Sequence, residues 1–173
     1  MRTLRLRKTL GLSLDELLSD LDYYASRLKA LDKSFIEDLD KGVLARRMAL
    51  LKTHPGVGAV VSCQFATELF HYREFNSTRE VFKYLGLAPR IHQSGEHSTR
   101  GSINKMANSR LRSNLNQAAW RWIAVDIKAQ KTYLRLVNNC GGIKQKAIIA
   151  MARKLAGHLW MMLIKDQPYD PTK

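Results

Sequence analysis

A chain of 173 residues has room for one domain, or for one domain and an arm. Its 45% apolar content supports an ordinary core and excludes wholesale disorder, and no apolar run approaches the ~18–20 residues of a membrane span. A net charge of +14 points to a polyanionic partner. The excess is concentrated: Asn76–Lys165 holds 16 Lys/Arg against Glu80, Glu96 and Asp126, whereas Met1–Phe75 holds 12 against 10 acidic residues. A field confined to half the chain favours nucleic acid, because each phosphate neutralised releases counterions.

The basic start, Met1 to Leu12, lacks an apolar core and a small-residue cleavage site, so it reads as a tail (1–12) with no signal peptide. Cys63 and Cys140 lie far apart and are expected as reduced thiols of a cytoplasmic protein.

From Ser13 to about Lys41 the chain reads as one long helix, the core of a helical arm over 13–48. Leu14, Leu17, Leu21, Tyr24, Leu28, Leu31 and Phe35 recur in alternating steps of three and four, a heptad seam. Ser13 is placed to cap the first turn. The seam suits pairing with a second copy, as in a coiled coil, or packing on its own domain. Gly42 breaks the helix.

Val43 to Lys52 is a second helix, followed by Thr53-His54-Pro55-Gly56-Val57-Gly58 and an apolar stretch from Ala59 to Phe70. This is the pattern of a helix-hairpin-helix. Gly56 and Gly58 would permit a tight turn and let the amides opening the next helix face a phosphate. A plain helical joint fits the same residues. Ser77 to Leu85 is a short helix with the Ser77/Glu80 spacing of a capping box, closed by Gly86.

Ala88 to Ser102 is polar and reads as a long loop or a small, irregular β-hairpin. Asn108 then caps a strong helix through about Ala129, with Leu111, Leu115, Ala118, Ala119 and Trp122 on its apolar face. Gly141-Gly142 ends that region. A last helix, Ile143 to Lys165, turns Ile148, Met151, Leu155, Leu159 and Met162 inward, and Pro168 and Pro171 close the domain at about residue 170. The fold expected is mainly α: a heptad helix, then a compact helical domain over 49–170 with the helix-hairpin-helix turn and the Ser-Gly loop or hairpin.

The informative block is Leu85-Gly86-Leu87-Ala88-Pro89-Arg90, then Ser94-Gly95, then Arg100-Gly101-Ser102-Ile103-Asn104-Lys105, then Asn108 and Leu111-Arg112. In this order it resembles the C-terminal domain of the insertion-sequence-one-ten family, the transposases and Piv-type DNA invertases known as bridge-RNA-guided recombinases. The resemblance runs from about Leu50 to Tyr169. It implies DNA transposition or recombination, DNA as partner, a guide RNA as a further partner, and Ser94 as the nucleophile on a DNA phosphodiester. It also implies an N-terminal RuvC-like domain whose Asp and Glu residues hold magnesium. Only about 12 residues precede the first helix here, so no cofactor or metal ligand is expected in this chain. Asp15, Asp20 and Asp22 read as the solvated face of the arm.

The residues agree in part with that implication. A serine hydroxyl needs a base, a metal or a strong field to become a nucleophile. Gly95 would let a bulky backbone approach, and Arg90, Arg100, Lys105 and Arg112 would neutralise charge building on phosphorus. Gly56, Gly58 and Asn108 complete the expected phosphate-binding set. Ser94-Gly95 also fits a plain turn. His92 and His97 flank Ser94, but the orienting carboxylate of a triad would have to be Glu96 from the same loop. A zinc site from His92, His97 and Cys63 lacks ligand spacing. Ala107 stands where the resembled pattern has glycine, which strains a positive-φ position. Three functions follow: the serine-bearing half of a transposase completed by another polypeptide; a non-catalytic DNA- or RNA-binding relic that regulates a full-length relative; or a basic helical scaffold.

Overall fold

The computed structural model describes residues 8–39, 42–94, 97–103 and 109–171, with side chains at 10–34, 42–88 and 109–171. The chain divides into two compact units, Met1–Gly42 and Val43–Lys173.

The first unit carries α1, Lys8–Leu39. It begins before Ser13, which therefore lies inside the helix and does not cap it. The cap assignment fails because the turns preceding Ser13 are themselves helical. Leu14, Leu17, Leu21, Tyr24, Leu28 and Leu31 form the expected stripe, and all are exposed. The Phe35 side chain lies outside the described residues.

The second unit is mainly helical. It contains α2 (Val43–Lys52), α3 (Ala59–Glu68), a 3-10 turn at Tyr72–Glu74, α4 (Thr78–Tyr84), strands β1 (Pro89–Ser94) and β2 (His97–Ile103), α5 (Ser109–Val125), α6 (Ile127–Asn139) and α7 (Lys144–Lys165). Helix α7 is the central rod and touches α2, α4, α5, α6 and the 3-10 turn. Among the described helices it is long and apolar enough to cross a membrane by length and composition. Here Ile148, Met151, Leu155, Leu159 and Met162 are buried in the protein core. Helix α5 lays Leu111, Leu115, Ala118, Ala119 and Trp122 on this core, with Ile123 beside them.

Two helices end in the same device. At the end of α4, Gly86 takes φ +65, and its amide and that of Leu87 donate to the carbonyls of Lys83 and Phe82. At the end of α6, Gly141 takes φ +66, and the amides of Gly141 and Gly142 donate to Asn138 and Val137. Both are Schellman closures, which need a residue free to adopt left-handed φ. The capping box expected at the start of α4 does not form, because Glu80 turns to the amide before the N-cap. Ser77 makes no side-chain cap bond, while Glu80 accepts from the amide of Asn76 at 2.9 Å.

The single helix expected from Asn108 to Ala129 is two helices. Asp126 breaks it, with extended backbone. Its carboxylate accepts from the amides of Lys128 (2.8 Å) and Ala129 (3.3 Å) and from Trp122 Nε1 (2.9 Å). Those bonds offer the backbone an alternative to continuing the helix, and α6 sets off anew with Ala129 and Tyr133 inward. The polar segment after Ala88 is a hairpin: β1 and β2 pair antiparallel, with a register irregularity between Pro89 and Ile91.

Candidate nucleic-acid interface

The hairpin carries the candidate nucleophile at its end. Ser94 is the last residue of β1 and pairs in register with His97, the first of β2; His92 pairs with Thr99. Arg100 pairs with Ile91, and Arg90 stands at the register irregularity. Gly95, Lys105, Ala107 and Asn108 lie outside the described residues, as do the side chains of Arg90, Ser94 and Arg100.

The root of the hairpin is anchored by two arginines from different helices. Arg112 of α5 donates from Nη1 to the Gly86 carbonyl at 3.5 Å. Arg153 of α7 donates from Nε and Nη2 to the Leu87 carbonyl, at 3.0 and 2.6 Å. Burial holds the Arg153 guanidinium below the ordinary arginine value. A guanidinium spent on a backbone carbonyl fixes where the chain leaves the core. Sequence reading picked out Arg112 as a phosphate ligand and passed over Arg153, whose partner is 66 positions away.

The turn between α2 and α3 separates its two glycines. Gly56 is buried, and a Cβ there would sit 2.7 Å from both the Ala118 carbonyl oxygen and the Trp122 Cβ. Its amide donates to His54 Nδ1 at 3.3 Å. Gly56 thus brings the turn against α5, with its amide already engaged. Gly58 is exposed, and a Cβ there would meet nothing within 4 Å. It is the N-cap of α3, where no side chain bonds the opening amides. Of the two, Gly58 stands where an anion has access.

His54 is fully buried. Burial, then the neighbouring His158, lower its pKa to about 3, with Asp126 opposing. Burial also lowers His158, with Lys154 adding to it. Partial burial pushes the Asp126 carboxyl up, but its bonds from Trp122, Lys128 and Ala129 outweigh this and leave it low.

The second unit carries many exposed cations. Arg79, Lys83, Arg110, Arg121, Lys131, Arg135, Lys144, Lys146 and Lys154 are exposed. Asp126 is already committed to its cap. Lys144 and Lys146 open α7, which has no acidic residue in its first turn and no side-chain cap. Cations at the positive end of a helix dipole are unfavourable alone and favourable once an anion is bound.

Among the described residues, no three His, Cys, Asp or Glu side chains cluster as metal ligands. They do not fit the magnesium site that the resemblance implies for a RuvC-like domain. Cys63 and Cys140 are free thiols, and burial raises the pKa of Cys63.

The sequence profile of the transposase IS116/IS110/IS902 family matches residues 48–135. Similarity extends to y4rJ of Sinorhizobium fredii, named as a transposase, with 34% identity over 65% of this chain and 29% of that protein. A pilin gene-inverting protein of Moraxella bovis is 30% identical over 73% of this chain and 40% of its own length. The transposase for insertion sequence element IS1111A of Coxiella burnetii is 26% identical over 91% of this chain and 40% of its own. The chain therefore spans less than half the length of these relatives. The hairpin and the turn between α2 and α3 fall within the matched region, and the chain belongs to the IS116/IS110/IS902 transposase family.

Proposed function

We propose that this chain is the serine-bearing half of a DNA recombinase, which binds DNA through its basic second unit and presents Ser94 to a phosphodiester. The observation that carries the reading is the family match over 48–135, which contains Ser94 on its anchored hairpin. In the reaction, the Ser94 oxygen forms a bond to phosphorus as the bond to a sugar oxygen breaks. The serine proton goes to a base, and the departing oxygen takes up a proton. One phosphodiester replaces another, so the step needs no external energy source. The basic residues stabilise the charge on the five-coordinate phosphorus. Carboxylates that hold magnesium would belong to a RuvC-like half, and magnesium held there would stabilise the departing oxygen.

A second reading, a non-catalytic DNA- or RNA-binding relative with a regulatory role, is favoured by one observation: Ala107 occupies the position of the resembled glycine. Both readings place the protein in the bacterial or archaeal cytoplasm, on the nucleoid when bound, and both allow a guide RNA as partner. They share a test of binding. Log affinity for duplex DNA should fall linearly with log salt, by about 0.9 for each phosphate contacted. A flat titration, or no binding at low salt, contradicts both.

A further inference from the structure

On the second unit, away from the hairpin root, α2, the 3-10 turn and the end of α7 enclose an open cavity of about 460 Å³. Three arginines, Arg46, Arg47 and Arg73, line it with Phe70, Tyr72 and two carboxylates, Asp166 and Glu74, the latter 3.3 Å from His71 Nδ1. Its floor is fixed. The Arg47 guanidinium lies 4.9 Å from the Phe70 ring centroid and 4.8 Å from that of Tyr72. Its Nη1 donates to the Phe70 carbonyl at 3.2 Å, and Trp160 Nε1 donates to the Tyr72 carbonyl at 2.9 Å. Tyr72 is buried, but Phe70 is 53% exposed.

The rim is charged and can open. Arg73 lies 5.6 Å from the Tyr72 centroid and is exposed. Arg46 pairs with Asp166 through side chains 76% and 56% exposed. Such a pair is worth little in water and is readily exchanged for another anion. Asp166 holds φ 50, uncommon for a residue with a side chain.

An exposed aromatic ring on a rigid cationic plane, with further guanidinium groups at the rim, takes a ligand that is flat and anionic at once. An acidic peptide would satisfy the arginines and leave Phe70 unused. Duplex DNA would satisfy the arginines but keep the faces of its bases stacked on one another. We propose that this cavity holds one unpaired nucleotide of a nucleic-acid strand, its base against Phe70 and its phosphate at Arg73 and Arg46. The proposal rests on the nucleic-acid reading above and adds to it a site for unpaired strand, separate from the Ser94 hairpin.

The test uses the full chain and fluorescently labelled oligonucleotides of one sequence: single-stranded DNA, single-stranded RNA and duplex DNA. Phe70→Ala should weaken single-strand binding about tenfold, the effect of one lost stacking contact, and leave duplex binding unchanged. Phe70→Trp, which keeps a ring, should bind single strands at least as tightly as the parent. Arg73→Ala should lessen the single-strand salt slope by about 0.7, one phosphate contact. A tenfold loss on either DNA or RNA supports the proposal and identifies which strand the site takes. Lys131→Ala on α6, a basic-surface comparison, should weaken single strand and duplex alike. If Phe70→Ala leaves single-strand affinity unchanged, or lowers duplex affinity equally, the site is overturned while the general binding function stands. If no oligonucleotide binds at any salt, both fall.

Discussion

The ring of Tyr169 lies against that of His54, their centroids 4.2 Å apart, although 115 positions separate them. The Tyr169 amide donates to Thr53 Oγ1 at 3.0 Å, and Lys128 Nζ donates to the Pro171 carbonyl at 2.6 Å. The C-terminal segment is thus a strap over the α2–α3 turn and the α5–α6 junction. His54 beneath it also meets Trp122 at 4.8 Å and His158 at 5.7 Å.

That burial makes stability pH-dependent in a defined direction. Folded His54 is neutral down to about pH 3, whereas the unfolded residue takes up a proton near pH 6.5. The unfolded state therefore binds more protons between those values. Stability attributable to His54 is fully present above pH 6.5 and declines as pH falls toward 3, by at most about 1.4 kcal/mol per pH unit. His158, also lowered by burial, adds in the same sense. Urea unfolding measured at several pH values should show this decline, and His54→Gln should flatten it, whatever its effect on absolute stability. An unchanged slope in the variant would mean that His54 is not the group that titrates.

The two turn glycines should differ in their response to a methyl group. Gly56→Ala places Cβ 2.7 Å from the backbone carbonyl of Ala118 and should cost about 1–3 kcal/mol by forcing the turn off α5. Gly58→Ala meets open space at φ −100 and should stay within about 1 kcal/mol of the parent. Equal urea midpoints for the two variants would contradict the close packing of Gly56 on α5.

The arm's helix carries an exposed apolar stripe; Leu21 is 64% and Leu28 61% exposed. A heptad stripe of this length suits a homodimer or pairing with a partner transposase half. Replacing Leu21 and Leu28 with Lys should turn a dimer into a monomer by light scattering and leave the melting of the second unit unchanged. A parent chain that is already monomeric would contradict self-association through the stripe.

How much was legible follows from how local each cause is. The inward faces of α5 and α7 were readable because Leu111–Leu115–Trp122 and Met151–Leu155–Leu159 repeat with the helix itself. Gly86 and Gly141-Gly142 were readable because a left-handed closure needs residues of that type. The Asp126 break was missed because it depends on a carboxylate choosing nearby amides and the Trp122 indole over a solvated surface. Ser77 was credited with a cap bond it does not make, because spacing alone does not show which amide Glu80 takes. Arg153, His54 and Trp160 were silent because their partners, Leu87, Tyr169 and Tyr72, lie 66, 115 and 88 positions away. The site was legible as a block of sequence, and the Ser94–His97 pairing became visible only once the strands were aligned.

The central claim, that Ser94 is a nucleophile in a completed enzyme, is tested most directly on a denaturing gel. The chain is incubated with target DNA, magnesium and the RuvC-like half of a family member, and protein–DNA adducts are resolved. The account predicts an adduct with the parent chain, none with Ser94→Ala, and equal DNA binding by both. An adduct that survives Ser94→Ala, or none from the parent chain under conditions where the donor family member reacts as an intact protein, would contradict it.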